Sequence, residues 1–205
     1  MLMAATLVTV CQAKKVKVTI DGTVPSTVST IYLIINEDKD NAQLVPISDG
    51  KFSVTVKVDR DAFIRLDETK NYPQNSMYVL IPDSRHITIE WNKGNIQGSK
   101  LSADLQLTCS EIRSSSPDGF HVDVFSDDPE AWRRAQSQAN AVRESMREQQ
   151  RKIAREKILE WKNNSAGAWI VYCFPEVMEG ELNAMIQHMK PKWINHPILK
   201  AKQQK

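Results

Sequence analysis

From Lys14 to about Trp91 the chain alternates between apolar and polar positions with a period of two. Val16, Val18 and Ile20 alternate with Lys15, Lys17 and Thr19, and Phe52, Val54, Val56 and Val58 with Lys51, Ser53, Thr55 and Lys57. Ile87, Ile89 and Trp91 alternate in the same way with His86, Thr88 and Glu90. Successive side chains of a strand point to opposite faces, so each segment predicts a strand with one core face and one wet face. Ile31–Ile35, Ala62–Leu66 and Met77–Ile81 are more continuously apolar and read as central strands. Turn residues separate the segments: Asp21-Gly22, the polar run Asn36 to Asn41, Asp49-Gly50, Asn71 to Asn75, and Pro82-Asp83-Ser84. Six or seven short strands over about eighty residues predict an antiparallel sandwich or open barrel.

After Gly98 the period changes. Leu101, Leu105, Cys109 and Ile112 stand at helical spacing and predict a short helix from about Ser99 to Ser114. Asp127-Asp128-Pro129-Glu130 is a helix start, because aspartate caps free N–H groups, proline fits the first turn and acids suit the positive end of the dipole. Nothing interrupts from Pro129 to about Asn163, which predicts a helix ~50 Å long. Its apolar stripe is Trp132, Ala135, Ala139, Val142, Met146 and Ile153, drifting toward Ile158 and Trp161. Gln149 and Glu156 occupy the next seam positions, so packing of one face on the rest of the protein is favoured over a coiled coil. The Trp132 end is expected to dock, and the Gln149 to Trp161 end to be the more exposed. Further helices are expected at Ala166–Phe174 and from about Gly180 to Lys190, with a polar, frayed tail at Lys200–Lys205. The fold class is α+β: an antiparallel β-sandwich-like domain over residues 14–98, then a helical segment over 99–205 with one long helix.

The first thirteen residues alter the setting. Met1 to Val10 is an uncharged apolar run ending at Cys11-Gln12-Ala13, and polar chain begins at Lys14-Lys15. That has the length of a signal-peptide apolar region with a small-residue cleavage site, and is too short to span a bilayer. No positive residue precedes the run. The alternatives are a first buried strand, or a lipoprotein signal acylated at Cys11, for which the bulky Val10 is a poor match. Export to the periplasm or cell envelope is the expectation.

A net charge of +2 predicts no polyanion partner. In Arg143 to Lys157, Arg147, Arg151, Lys152 and Arg155 are interleaved with Glu144, Glu148 and Glu156. Both signs on one helix describe a solvated face rather than a nucleic-acid site. No later apolar stretch reaches membrane-spanning length, so no transmembrane segment is expected in the mature chain. The glycines stand singly, with no phosphate-cradling loop and no Gly-x-Ser-x-Gly elbow. His86, His121, His188 and His196 have no partner at ligand spacing, so neither metal nor other cofactor is expected. Asn163-Asn164-Ser165 is formally a glycosylation sequon. With Cys11 removed, Cys109 and Cys173 remain, each on an apolar helical face. In an oxidising compartment they would pair or stay apart as buried thiols, and they are the one candidate redox pair.

Two pieces carry a resemblance. Ile47-Ser48-Asp49-Gly50-Lys51-Phe52-Ser53-Val54 precedes Ala62-Phe63-Ile64-Arg65-Leu66, and Ile87-Thr88-Ile89 then leads to Ile96-Gln97-Gly98-Ser99-Lys100-Leu101-Ser102-Ala103-Asp104-Leu105. This order resembles the β-rich domain that precedes the thioredoxin module of exported TlpA-like thiol–disulfide proteins of Gram-negative bacteria. Asn163-Asn164-Ser165-Ala166 looks like that family's Asn-x-x-Ser-type helix start, shifted and without its usual proline. In the family the redox chemistry belongs to the Cys-x-x-Cys of the thioredoxin module, and these 205 residues contain no such motif. The resemblance therefore implies the accessory portion without its catalytic one, as a stand-alone module or a shortened gene product, and no residue carries over as catalytic. The leading expectation is a non-enzymatic module that binds a protein or small-ligand partner in the cell envelope. The second is a thiol-redox component acting through Cys109 and Cys173 or with a separate thioredoxin.

Overall fold

The computed structural model describes residues 15–70, 77–120, 128–178, 180–196 and 199. The apolar run at 1–13 with Cys11, the turn at 71–75, His121 and the tail at 200–205 lie outside the described residues.

The fold is α+β. Among the described residues nine strands form two sheets: β1 (Lys15–Thr23), β2 (Ile31–Ile35), β3 (Gln43–Val45), β4 (Ile47–Ser48), β5 (Lys51–Asp59), β6 (Ile64–Asp67), β7 (Tyr78–Leu80), β8 (His86–Glu90) and β9 (Asn95–Gln97). One sheet runs β4-β5-β1-β8-β9 and the other β3-β2-β6-β7. The alternating segments do have one buried face each: Phe52, Val54, Val56 and Val58 are buried, while Lys51, Ser53, Thr55 and Lys57 are exposed. Pairing is antiparallel apart from β1 and β8, which lie parallel with Ile20 beside Ile87. The intervening chain builds the second sheet and the antiparallel β4 and β5 of the first, and β8 then re-enters the first sheet in β1's own direction.

Between the sheets lies a core of aliphatic residues from both, closed at one end by aromatics. Trp91 meets Phe52 edge-on, with centroids 6.3 Å apart, and Tyr78 at 4.7 Å. Tyr78 from β7 donates its hydroxyl to the Trp91 carbonyl at 2.7 Å, tying the sheets together. Position 22 must be glycine here: a Cβ would stand 2.4 Å from the Phe52 ring, which lies against the β1 backbone.

The helices are α1 (Lys100–Ser114), α2 (Pro129–Glu160), α3 (Ser165–Cys173), α4 (Leu182–Gln187) and α5 (Pro191–Ile194). They cover the other face of the four-stranded sheet, and Phe63, Met77, Val79 and Ile81 join Leu105, Ile112, Ile158, Trp169 and Ile186 in one cluster. Strands β6 and β7 of this sheet thus have apolar cover on both faces, which explains their continuously apolar runs, while Gln43 and Leu44 of β3 stay exposed. This cover also corrects one inference, since β7 is an edge strand that is buried without being central. Its open end is capped by α1, where the Ser102 hydroxyl accepts from the Ile81 N–H at 2.9 Å.

Helix caps follow the sequence. The Ser99 side chain accepts from the Ser102 N–H, and the Asp128 carboxylate accepts from the Glu130 and Ala131 N–H groups. Asn164 caps α3, and the neighbouring Ser165 hydroxyl donates to the Ala62 carbonyl at 3.2 Å, fastening that helix to the β layer. Gly167 lets α3 approach the end of α2, because a Cβ there would meet the Trp161 carbonyl oxygen at 2.7 Å.

The orientation expected for the long helix is reversed. Ala154, Ile158 and Trp161 are buried, whereas Trp132 is 51% exposed and Val142 42%. A straight helix keeps one face inward along steps near four residues, and here the buried line is Ala139, Gln150, Ala154 and Ile158. The heptad seam through Trp132 and Val142 drifts off that line. Gln149 is exposed, and its neighbour Gln150 is the buried amide, donating to the Ile112 carbonyl at 2.8 Å. Within α2, trypsin is therefore expected to cut at Arg133 or Arg134 before Arg151 and Arg155, read by timed mass spectrometry. First cleavage at Arg151 or Arg155 would contradict the docking described.

Candidate functional site

The most constrained polar cluster sits in β6. Ile64 and Leu66 enter the inter-sheet core, so Arg65 and Asp67 face the opposite side, the one the helices cover. Both are fully buried. A guanidinium so placed must be matched by acceptors. Arg65 donates Nε to Glu37 Oε1 at 2.6 Å and Nη2 to Glu37 Oε2 at 3.2 Å, a two-pronged grip on one carboxylate. Nη1 donates to Asp67, and Nη2 also reaches the Lys70 carbonyl at 3.3 Å. Glu37 holds its position through left-handed backbone, φ 52° at Asn36 and 61° at Glu37. Asn36 secures that turn, accepting through Oδ1 from the Phe63 N–H and donating its own N–H to the Phe63 carbonyl. Strain of roughly 1–3 kcal/mol per such residue persists only where the surroundings enforce it.

Burial raises the Asp67 carboxyl above its ordinary value, against the Thr69 N–H and the Arg65 charge, which lower it. Tyr172 of α3 is pushed up to about 12, first by burial and then by the Glu37 carboxylate. The contacts of Arg65 occupy its guanidinium nearly completely, so this cluster anchors the fold and offers a ligand little. The sequence signal for it was an arginine inside an otherwise apolar run.

Of the predicted redox pair, Cys109 is buried among the helices and Cys173, the last residue of α3, is half-buried. Both stand as thiols, not joined to each other. Burial pushes the Cys109 thiol up to about 11, with Arg113 opposing. His86 is exposed, as its strand face predicts, with Nε2 2.6 Å from Asp21. Among the described residues no group of three or more His, Cys, Asp or Glu side chains is arranged to hold a metal ion, and no helix is long and apolar enough to cross a membrane.

What the sequence did not reveal is a groove of about 1000 Å³ built from four separate stretches. Arg113 at the end of α1, the turn Ser116-Pro117-Asp118, the middle of α2, and Phe174 to Val177 after α3 surround it. Gln150 helps line it while satisfying an end carbonyl of α1. Glu144 engages Arg151, and Arg147 at 3.4 Å. Glu148 takes a second edge of Arg151 at 2.9 Å. Arg113 differs: its guanidinium lies 5.6 Å from the Phe174 ring centroid, and among the described residues it has no carboxylate partner. A shallower hollow of about 630 Å³ on the outer face of the five-stranded sheet has its acids engaged, Asp21 by His86 and Glu90 by Lys93 and Asn95.

Searches against protein-family models, curated proteins and solved structures return no match for this chain.

Three measurements check these contacts. Arg65→Met should cost about 3–5 kcal/mol in urea unfolding at neutral pH, as it strands two buried carboxylates, and adding Glu37→Gln and Asp67→Asn should recover part of it. The raised Asp67 carboxyl gives a contribution fully present below its unfolded pKa and lost as pH rises through the folded one. The stability difference between the parent and Asp67→Asn should therefore shift against the parent from about pH 4 to pH 7, and a slope of the other sign would show a depressed carboxyl. Separately, with its thiol near 11, Cys109 is thiolate in only about one molecule in ten thousand at pH 7. A soluble aromatic disulfide reagent should label Cys173 well ahead of Cys109, and equal rates would contradict the burial of Cys109.

Proposed function

We propose that this chain is a non-enzymatic binding module exported to the cell envelope, the accessory portion of a thiol–disulfide protein, and that its partner docks in the groove between α1, α2 and the segment after α3. The observation that carries this reading is Arg113 at the groove wall, its guanidinium over the Phe174 ring at 5.6 Å from the centroid and without a carboxylate partner among the described residues. Asp118 and Glu176 on the rim likewise have no basic partner among the described residues. A concave surface that gathers one cation and two anions beside apolar Phe174 and Val177 suits an external partner.

Support for the address comes from the apolar run ending at Ala13, and for the accessory role from the turn and cap residues quoted above. The redox alternative is less favoured, because the burial that completes the helical core suppresses the Cys109 thiolate.

Photo-cross-linking in the intact envelope tests the reading. A photoreactive residue at Val177, on the groove, should give a discrete adduct in the periplasmic fraction, while one at Thr55, on the outer face of the five-stranded sheet, should give none. Absence of an adduct at Val177, or equal adducts at both, would overturn the docking site.

A further inference from the structure

The outer face of the five-stranded sheet is divided in charge. Lys15, Lys17 and Lys57 are exposed and alternate with the inward Val18, Val56 and Val58, so they point outward from β1 and β5. The register sets Lys17 directly opposite Lys57, and like charges so placed cost a sheet stability. Arg60 follows β5 at the same end, and Arg85 precedes β8, its carbonyl accepting from the Thr19 N–H at 2.9 Å. Both arginines are exposed, and among the described residues none of the five cations has a carboxylate within ion-pair distance. Asp61 is held by Lys192, which leaves Asp59, opposite Lys15, to face them. At the far end of the face Asp21 is held by His86, and Glu90 by Lys93 and Asn95. The net charge of +2 averages over this separation.

From this patch we infer that the Lys15–Lys57 end of the sheet docks on an anionic phospholipid surface, a contact independent of the groove and its partner. Flatness is the first argument. The lysines stand on outward strand positions, and the hollow on the same face reaches Lys51 and Ser53 but none of the five cations. Second, no outward position of β1 or β5 carries a ring, so a single-stranded nucleic acid would find nothing to stack on. Lysines, as point charges on flexible stems, also suit a layer of headgroups better than the fixed fork of arginine does. Third, the apolar run ending at Ala13 and the candidate acylation site Cys11 lie within four residues of Lys15. A single acyl chain holds a protein at a membrane only marginally, and a polybasic surface beside it is the kind of second signal that makes the hold stable.

The test is co-sedimentation of the full chain with phosphatidylglycerol vesicles and with phosphatidylcholine vesicles. Binding to the first should exceed binding to the second and fall steeply as salt is raised. The apolar run is common to both arms, so the difference between them reads charge. Lys17→Gln should weaken phosphatidylglycerol binding about fivefold, and Lys17→Gln with Lys57→Gln about twentyfold or more. Arg133→Gln on α2 removes the same charge elsewhere and should leave binding unchanged. Relief of the repulsion between the lysines should leave the Tm of their variants unchanged or higher, which separates lost binding from lost folding. Soluble glycerophosphate at matched ionic strength should not displace the vesicles. Equal binding to the two vesicle types, or equal losses for Lys17→Gln and Arg133→Gln, would overturn the membrane assignment. Displacement by glycerophosphate would overturn it too, giving the patch to a small phosphate instead.

Discussion

The β6–β7 half of the four-stranded sheet has no wet face, and most of the architecture follows from that. A sheet exposes two faces, and each apolar one must be covered by another layer. The five-stranded sheet covers one through Val18, Ile20, Val54, Val56, Ile87 and Ile89, and the helices cover the other through Leu105, Ile112, Ile158 and Trp169. The helical segment therefore shares its core with the β part. It also explains why α3 is buried over its first seven residues, Ser165 to Val171, instead of along one stripe. Anything polar on β6 is forced to bring partners inward, which is the origin of the grip of Glu37 on Arg65 and of the left-handed turn that delivers it.

That same constraint decides what the sequence could disclose. Strands β1, β5 and β8 border water on one side, so their period of two is visible residue by residue. Strands β2, β6 and β7 are visible as apolar runs, but such a run reports burial on two faces and not position within the sheet, hence the misplacement of β7. Three strands escaped notice because β3, β4 and β9 hold three, two and three residues, too few to display a period. The parallel contact between β1 and β8 joins residues some seventy positions apart, and no local pattern encodes it. Helix ends were legible because capping is local chemistry. The facing of α2 was not, since a three-four spacing fits both a heptad seam and a straight helix, and only the partner surface separates them.

The candidate site divides along the same line. Arg65 was in plain view within Ala62 to Leu66, and physical chemistry requires a buried guanidinium to have acceptors, yet Glu37 lay in a polar stretch that reads as an ordinary turn. The groove draws Arg113 and Phe174 together across 61 positions of chain, so neither residue announces the other. A cation in the last turn of α1 is what the helix dipole favours in any case, and nothing local distinguishes Arg113 from a solvated arginine.

Arg65 and Arg113 show how burial, rather than residue type, assigns a role. Both are planar, permanently charged and able to grip a carboxylate with two hydrogen bonds. Inside, solvent cannot substitute for an acceptor, so Arg65 is matched to two carboxylates and a carbonyl and is fixed as part of the frame. At the groove Arg113 stays exposed, its guanidinium over the Phe174 ring and without a carboxylate partner among the described residues. Cys109 follows the first pattern: the packing that covers the sheet encloses its thiol and pushes it up to about 11. The interior therefore uses up the hydrogen-bonding capacity of the groups it encloses, whereas a charge beside the open groove keeps its own.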